Sequence, residues 1–208
     1  MNDDAAIGIG TMIIFIAMIL VAGIAASVMM QTMDGLQSQA MSTGSETMND
    51  VSSGLKISHV SASTDSDSIV AMCFLVSPIA ASQDIDLSSA ILQISDGDSS
   101  NVLSYNGSVF CAGIDGDLFS SVNLSNLSSA EFGLIVLSDS DGSCSSESPA
   151  INDQDRVAIM VNTNKTFNGG IQKRSSIVLT LSPAQGIAAS IRLSTPSVFV
   201  DRVLQLYP

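Results

Sequence analysis

From Ile7 to Met30 the chain reads IGIGTMIIFIAMILVAGIAASVMM, 24 residues of apolar or small side chains. As a helix, at about 1.5 Å rise per residue, this run matches a bilayer core of roughly 30 Å. The pattern then changes without breaking. Met29, Met33, Leu36, Ala40, Gly44, Met48, Val51 and Leu55 follow at steps of three or four, while Gln31, Gln37, Ser38, Gln39, Glu46 and Asn49 fill much of the other face. That is helical spacing with a narrow apolar stripe. The spacing predicts one helix from about residue 6 to about residue 50, within an N-terminal segment 6–55. Its first half has no polar face, so it must be buried on every side, in lipid or among copies of itself. Ala22 and Ala26, and Gly23 and Ser27, place small residues one turn apart, a spacing that lets helix backbones approach closely.

A secretory signal fits this run poorly. Its apolar core is typically about 7–15 residues behind a basic flank, whereas the flank here is Asn2-Asp3-Asp4 and the first basic residue is Lys56. A plain membrane anchor stays open.

After Lys56 the helical period vanishes and short β-rich runs alternate with Ser, Gly, Asp and Asn clusters. Strands are predicted near 56–62, 68–77, 90–95, 101–105, 108–112, 131–138, 156–163, 175–182, 187–194 and 197–206. Ile69, Ala71, Cys73 and Leu75 alternate with Val70, Met72, Phe74 and Val76, apolar on both faces, as a central strand requires. The expected fold is α+β: a long N-terminal hydrophobic helix followed by an antiparallel β-sandwich, immunoglobulin-like, over 56–208.

Charge divides the chain the same way. Hydrophobic residues are 46% of the 208 and the net charge is −13. Ala5–Met33 carries no charge, whereas residues 34–208 hold all seven basic residues and 18 of the 20 acids, a net of 7 − 18 = −11. A pI near 4.1 without a basic stripe excludes nucleic acid as a partner. One histidine and three scattered cysteines leave little for a metal enzyme. His59 has no sequence neighbour suited to catalysis, and no cofactor motif is present. Asp96-Gly97-Asp98, Asp115-Gly116-Asp117 and Asp139-Ser140-Asp141-Gly142 offer hard oxygens to Ca²⁺ but lack EF-hand spacing and read as solvated turns. Sequons stand at Asn106, Asn123, Asn126 and Asn164.

The residues Ala6–Ala22, AIGIGTMIIFIAMILVA, resemble the N-terminus of archaeal flagellins (archaellins), relatives of type IV pilins. Asp84-Ile85-Asp86-Leu87-Ser88-Ser89-Ala90, Ser95-Asp96-Gly97 and the ending Leu206-Tyr207-Pro208 are also similar to that family. A pilin proper usually carries Glu at the fifth mature position, where this chain has Gly10. The resemblance implies a filament subunit that polymerises with itself through the helix and is turned by an archaellum motor on a membrane platform for swimming. It implies a leader, residues 1–5, cut by a leader peptidase between Ala5 and Ala6, and a precursor held in membrane lipid. The leader departs from the family pattern, with Ala5 where a Gly is usual. Surface glycans on the sequons are expected, as is an extracellular, oxidising setting, which permits a disulfide. Cys73 reads as a core thiol, so Cys111–Cys144 is the expected bridge. A pilin-like adhesion subunit and an anchored surface sandwich that never polymerises are the alternatives.

Overall fold

The computed structural model describes residues 2–79, 82, 84–114, 116–152 and 154–207. It divides into two compact units, Met1–Thr47 and Met48–Pro208.

The helix α1 spans Asn2–Ser52. Five glycines interrupt good helix formers along it, each costing about 1 kcal/mol relative to alanine, so propensity alone does not account for its length. Its hydroxyls turn inward onto its own backbone. Thr11 Oγ1 donates to the Gly8 carbonyl at 2.9 Å, Thr32 Oγ1 to those of Val28 and Met29 at 2.9 Å, and Thr47 Oγ1 to that of Thr43 at 2.7 Å. Polar groups on an apolar segment are thereby satisfied without water.

The second unit carries twelve strands: β1 (Leu55–Thr64), β2 (Ser68–Pro78), β3 (Ile85–Asp86), β4 (Ile91–Ser95), β5 (Ser100–Cys111), β6 (Glu131–Ser138), β7 (Ala150–Ile151), β8 (Arg156–Val161), β9 (Ile171–Gln172), β10 (Ser176–Ser182), β11 (Ala189–Ser194) and β12 (Val203–Tyr207). A short helix, α2, covers Thr163–Thr166, and a 3-10 turn covers Leu124–Asn126. Ten strands form one sheet in the order β11-β10-β4-β5-β6-β8-β2-β1-β12, with β9 added beside β2; β3 and β7 pair separately. All pairs are antiparallel except β5 with β6. The layers of the sandwich are thus parts of one continuous sheet, whose terminal strand β11 returns close to β1 and β12.

Alternation explains the core. Met72, Phe74 and Val76 of β2 join Phe132, Leu134, Ile159, Leu92, Ile94, Leu103, Leu179 and Leu181 in the larger cluster. Cys73 of the same strand faces the other way, with Ile135, Ala158 and Met160, under a cover of Val122 and Leu127. The central strands β2, β6 and β8 are therefore apolar on both faces, as was read for β2. Two expected strands, 101–105 and 108–112, are one strand whose register shifts between Tyr105 and Phe110. Gly107, within that strand, is a point of close approach to another segment. A Cβ there would sit 2.7 Å from the Ser146 carbonyl. The expected strand 197–206 shortens to β12, and β3, β7 and β9, two residues each, have no length in which to show a period.

The junction Ser53-Gly54-Leu55 is tied on every side. Ser53 N–H donates to Asn49 O at 2.8 Å, Ile187 N–H to Ser53 O at 2.8 Å, Ile79 N–H to Gly54 O at 2.9 Å, and Gly54 N–H to Ser82 Oγ at 3.1 Å. Gly186, at φ +95°, would bring a Cβ to 2.6 Å from Ser53 O, and Gly54 would bring one to 2.9 Å from Ile79 Cδ1. Gly186 has no room for a side chain against the Ser53 backbone, and at Gly54 one would crowd Ile187 at 3.1 and 3.2 Å.

Candidate assembly surface and its chemistry

Exposure is the salient property of α1. Phe15 is 65% exposed, Met18 68% and Met30 71%, against 0–1% for Phe132 and Phe74 of the β unit. The helix is long and apolar enough to cross a membrane from Ile7 onward, and none of its most apolar window is buried. Ala22, Gly23, Ala26 and Ser27 are all exposed, and a Cβ placed on Gly23 would meet nothing within 4 Å. The same openness holds at Gly8, Gly10, Gly35 and Gly44 along the helix. Ala5 and Ala6 lie within the helix; their side chains fall outside the described residues.

The sequons differ in availability. Asn123, Asn126 and Asn164 are exposed. Asn123 caps the 3-10 turn through its Oδ1, which accepts from the Ser125 N–H at 3.1 Å. Lys165 Nζ donates to the Ser125 and Leu127 carbonyls at 2.8 and 2.9 Å, and Asn162 Nδ2 to Leu124 O at 2.9 Å, which bring the three together on one surface. Asn106 is half-buried, and its Nδ2 already donates to Glu131 Oε2 at 2.9 Å. The Ser128 N–H first, then the Asn106 amide, hold the Glu131 carboxyl below the usual range.

The expected Cys111–Cys144 bridge is not formed, and all three cysteines are free thiols. Cys144 belongs to the larger core cluster and Cys111 packs against the smaller one, so the sheet separates them. Setting Cys73 aside as a core thiol left the pair, but that step does not report which face of the sheet each remaining thiol occupies. The Cys111 thiol donates to Gly113 O at 2.8 Å. Burial pushes the Cys73 thiol up to about 12. Burial, with Asp139 and Asp155 nearby, pushes Cys144 up to about 11.

Of the acidic turns, Asp96 closes the β4–β5 turn on the N–H groups of Asp98 and Ser99. Asp115 lies outside the described residues. Asp139 and Asp141 gain a partner that sequence reading missed, Asp155, 1% exposed; one carboxylate oxygen from each lies within 4.8 Å of the others. Such hard oxygens are the donor type that Ca²⁺ or Mg²⁺ prefers. Here N–H groups also answer them. Gly142 N–H donates to Asp139 at 2.7 Å, Asn152 N–H to Asp155 at 3.0 Å and Asn152 Nδ2 to Asp141 at 2.8 Å. The Asn152 amide is the first cause that holds the Asp141 carboxyl at about 2. Nothing local announces Asp155, because its role depends on the fold of the 139–155 loop. His59 lies half-buried on β1 opposite Leu75.

A family model for archaeal-type flagellins matches residues 5–193. The chain is 38% identical to flagellin B2 of Methanocaldococcus jannaschii over 205 residues, covering 97% of this chain and 94% of that one. It is 39% identical to flagellin B1 of Methanococcus voltae over 214 residues, covering 99% and 96%. This chain is an archaeal-type flagellin. Among solved structures, the crystal structure of flagellin FlaB1 from Methanocaldococcus jannaschii matches at a TM-score of 0.66 and 30% identity, over 74% of this flagellin and 96% of that chain. The archaeal flagellum of Methanospirillum hungatei shares the fold, at a TM-score of 0.64 and 13% identity over 92% and 95%. The flagellin family is one of structural filament subunits rather than enzymes. This flagellin is a structural subunit of the extracellular archaellum filament.

Proposed function

We propose that this flagellin polymerises through α1, with Ala22, Gly23, Ala26 and Ser27 as a close helix–helix contact, and that the filament serves swimming. The observation that carries this reading is the contrast in burial: a complete β core follows a helix whose apolar first half is wholly exposed. Two environments can cover that helix: lipid before assembly and a bundle of identical helices after it. Both are apolar, so transfer between them gains little from the hydrophobic effect, and close packing at small residues decides in favour of the filament. The precursor is held in the membrane, a leader peptidase removes residues 1–5 between Ala5 and Ala6, and the motor and membrane platform act on the assembled polymer. The β unit faces outward, with glycans on the open sequons Asn123, Asn126 and Asn164 in preference to Asn106.

Sheared filaments test the reading. N-terminal sequencing is expected to begin at Ala6, and an intact Met1 would sink the leader step. Intact mass is expected to exceed that of the bare 6–208 chain, and an equal mass removes the glycans from the proposal. Cells lacking the subunit are expected to stop swimming.

A further inference from the structure

Among the described residues, one sheet face of the β unit carries no acid. The outward side chains of β11, β10, β4 and β5 follow from alternation and register. They are Ser190, Arg192 and Ser194; Ser176, Val178, Thr180 and Ser182; Ile91, Gln93 and Ser95; and Ser100, Val102 and Ser104. Their inward neighbours Leu92, Ile94, Leu103, Leu179 and Leu181 are core. Across three inter-strand gaps of about 4.8 Å and five residues of about 3.4 Å, the face measures roughly 15 by 17 Å. Its polar groups partly satisfy one another: the Thr180 and Ser190 hydroxyls are 3.2 Å apart, and Gln93 Nε2 donates to Ser100 Oγ at 3.1 Å. Between them Ile91 is 50% exposed and Val102 58%. Asp96 and Asp98 in the β4–β5 turn and Glu131 beyond β5 bound it, and Arg192 is its one charge.

We propose that this face is a contact between outer domains of neighbouring copies in the filament, each seating a different surface of a second copy. The inference rests on the homopolymer reading. Identical subunits repel one another when crowded, residues 6–208 carrying a net charge of 7 − 18 = −11. Interface centres are depleted of charged residues, and this sheet face sets no carboxylate of its own against the acidic surface of a neighbour. Arg192 then offers a cation to the acidic surface that most of the chain presents. The seated surface differs from the face itself, because a self-complementary contact closes into pairs, whereas a head-to-tail contact propagates a helical polymer.

The test expresses full-length Val102→Asp and Gln93→Asp, with Gln205→Asp on exposed β12 as a matched acid elsewhere. Subunit is measured in membranes and in sheared filaments. Val102 and Gln93 point to solvent, so membrane levels and protease resistance of the β unit are expected to stay at wild type. Filament yield is expected to fall at least fivefold for both face variants and not for Gln205→Asp, with partial recovery at high salt as repulsion is screened. A photo-crosslinking residue at position 102 in intact filaments is expected to capture another surface of a second copy. Wild-type yield for both variants, an equal loss with Gln205→Asp, or capture of the same face or of a different protein overturns the proposal. Absence of the wild-type chain from filaments overturns the homopolymer reading itself, and the contact with it.

Discussion

The two units of this flagellin solve the burial of apolar side chains in opposite ways. The β unit hides Phe74, Phe132, Met72 and 21 leucine, isoleucine and valine side chains in its larger core cluster, and much of its outer surface is serine and aspartate. The helix hides nothing of its own: Phe15, Met18 and Ile24 are as open as its glutamines. One unit is complete as a single chain and the other only in company. A sequence can therefore be a good folding code in one half and a good assembly code in the other, with the boundary visible as a change of period.

The largest effect should come from charge on the helix. Gly23→Asp is expected to reduce both membrane insertion and filament formation severely, since an acid at the centre of an apolar helix is costly in either environment, while the β unit keeps its protease resistance. Fractionation into membrane and sheared filament reads both steps, and normal filaments from this variant would remove the helix from the assembly core. Phe132→Ala reverses the pattern. Phe132 is fully buried, its ring centroid 6.0 Å from that of Tyr105, and its truncation is expected to cost the β unit about 3–5 kcal/mol, read as a lower urea midpoint with insertion unchanged.

Gly23→Leu sharpens the comparison. Leucine is welcome in lipid, so insertion should hold, but overpacking costs about 1–3 kcal/mol at a close contact, and filament yield should fall. Equal yields would mean that Gly23 faces no neighbour. The smallest effect concerns acid. The Asp141 carboxyl is held at about 2 and that of Glu131 is also lowered, below an unfolded value of about 4. Their contribution is complete above about pH 4.5 and is lost as pH falls toward 2. Urea midpoints should therefore be flat from neutral pH to that point and then drop, and Asn152→Ala should blunt the drop through its effect on Asp141. An identical acid profile in the variant would show that Asn152 does not set it.

Legibility followed the range of the interactions. The helix was readable because an apolar run of 24 residues passes without a break into a stripe at helical spacing, and β2 because apolar side chains occupy both of its alternating sets. Pairing was not: nothing near Ser104 or Phe110 signals that β5 runs parallel to β6, or that one sheet supplies both layers. The cysteines show the same limit. Cys111 stands at a strand end and Cys144 in a Ser-Gly loop, and packing assigns them to different core clusters. Asp155 joins Asp139 and Asp141 only after the chain has turned back, so a search for local motifs stopped at the first two.

The double-glycine crossing at the junction has a consequence for engineering and for natural recombination. Successive strand residues point to opposite faces, and Leu55, Ile57 and Val60 are core residues of β1. One residue inserted after Gly54 would turn Leu55 and Ile57 outward while leaving the Gly54 and Gly186 backbones locked against Ser53, Ile79 and Ile187. Chimaeras that exchange outer units between flagellins should therefore be spliced upstream, at the boundary between Thr47 and Met48. A splice inside residues 53–55 must carry the segments around Ile79 and Gly186 from the same parent.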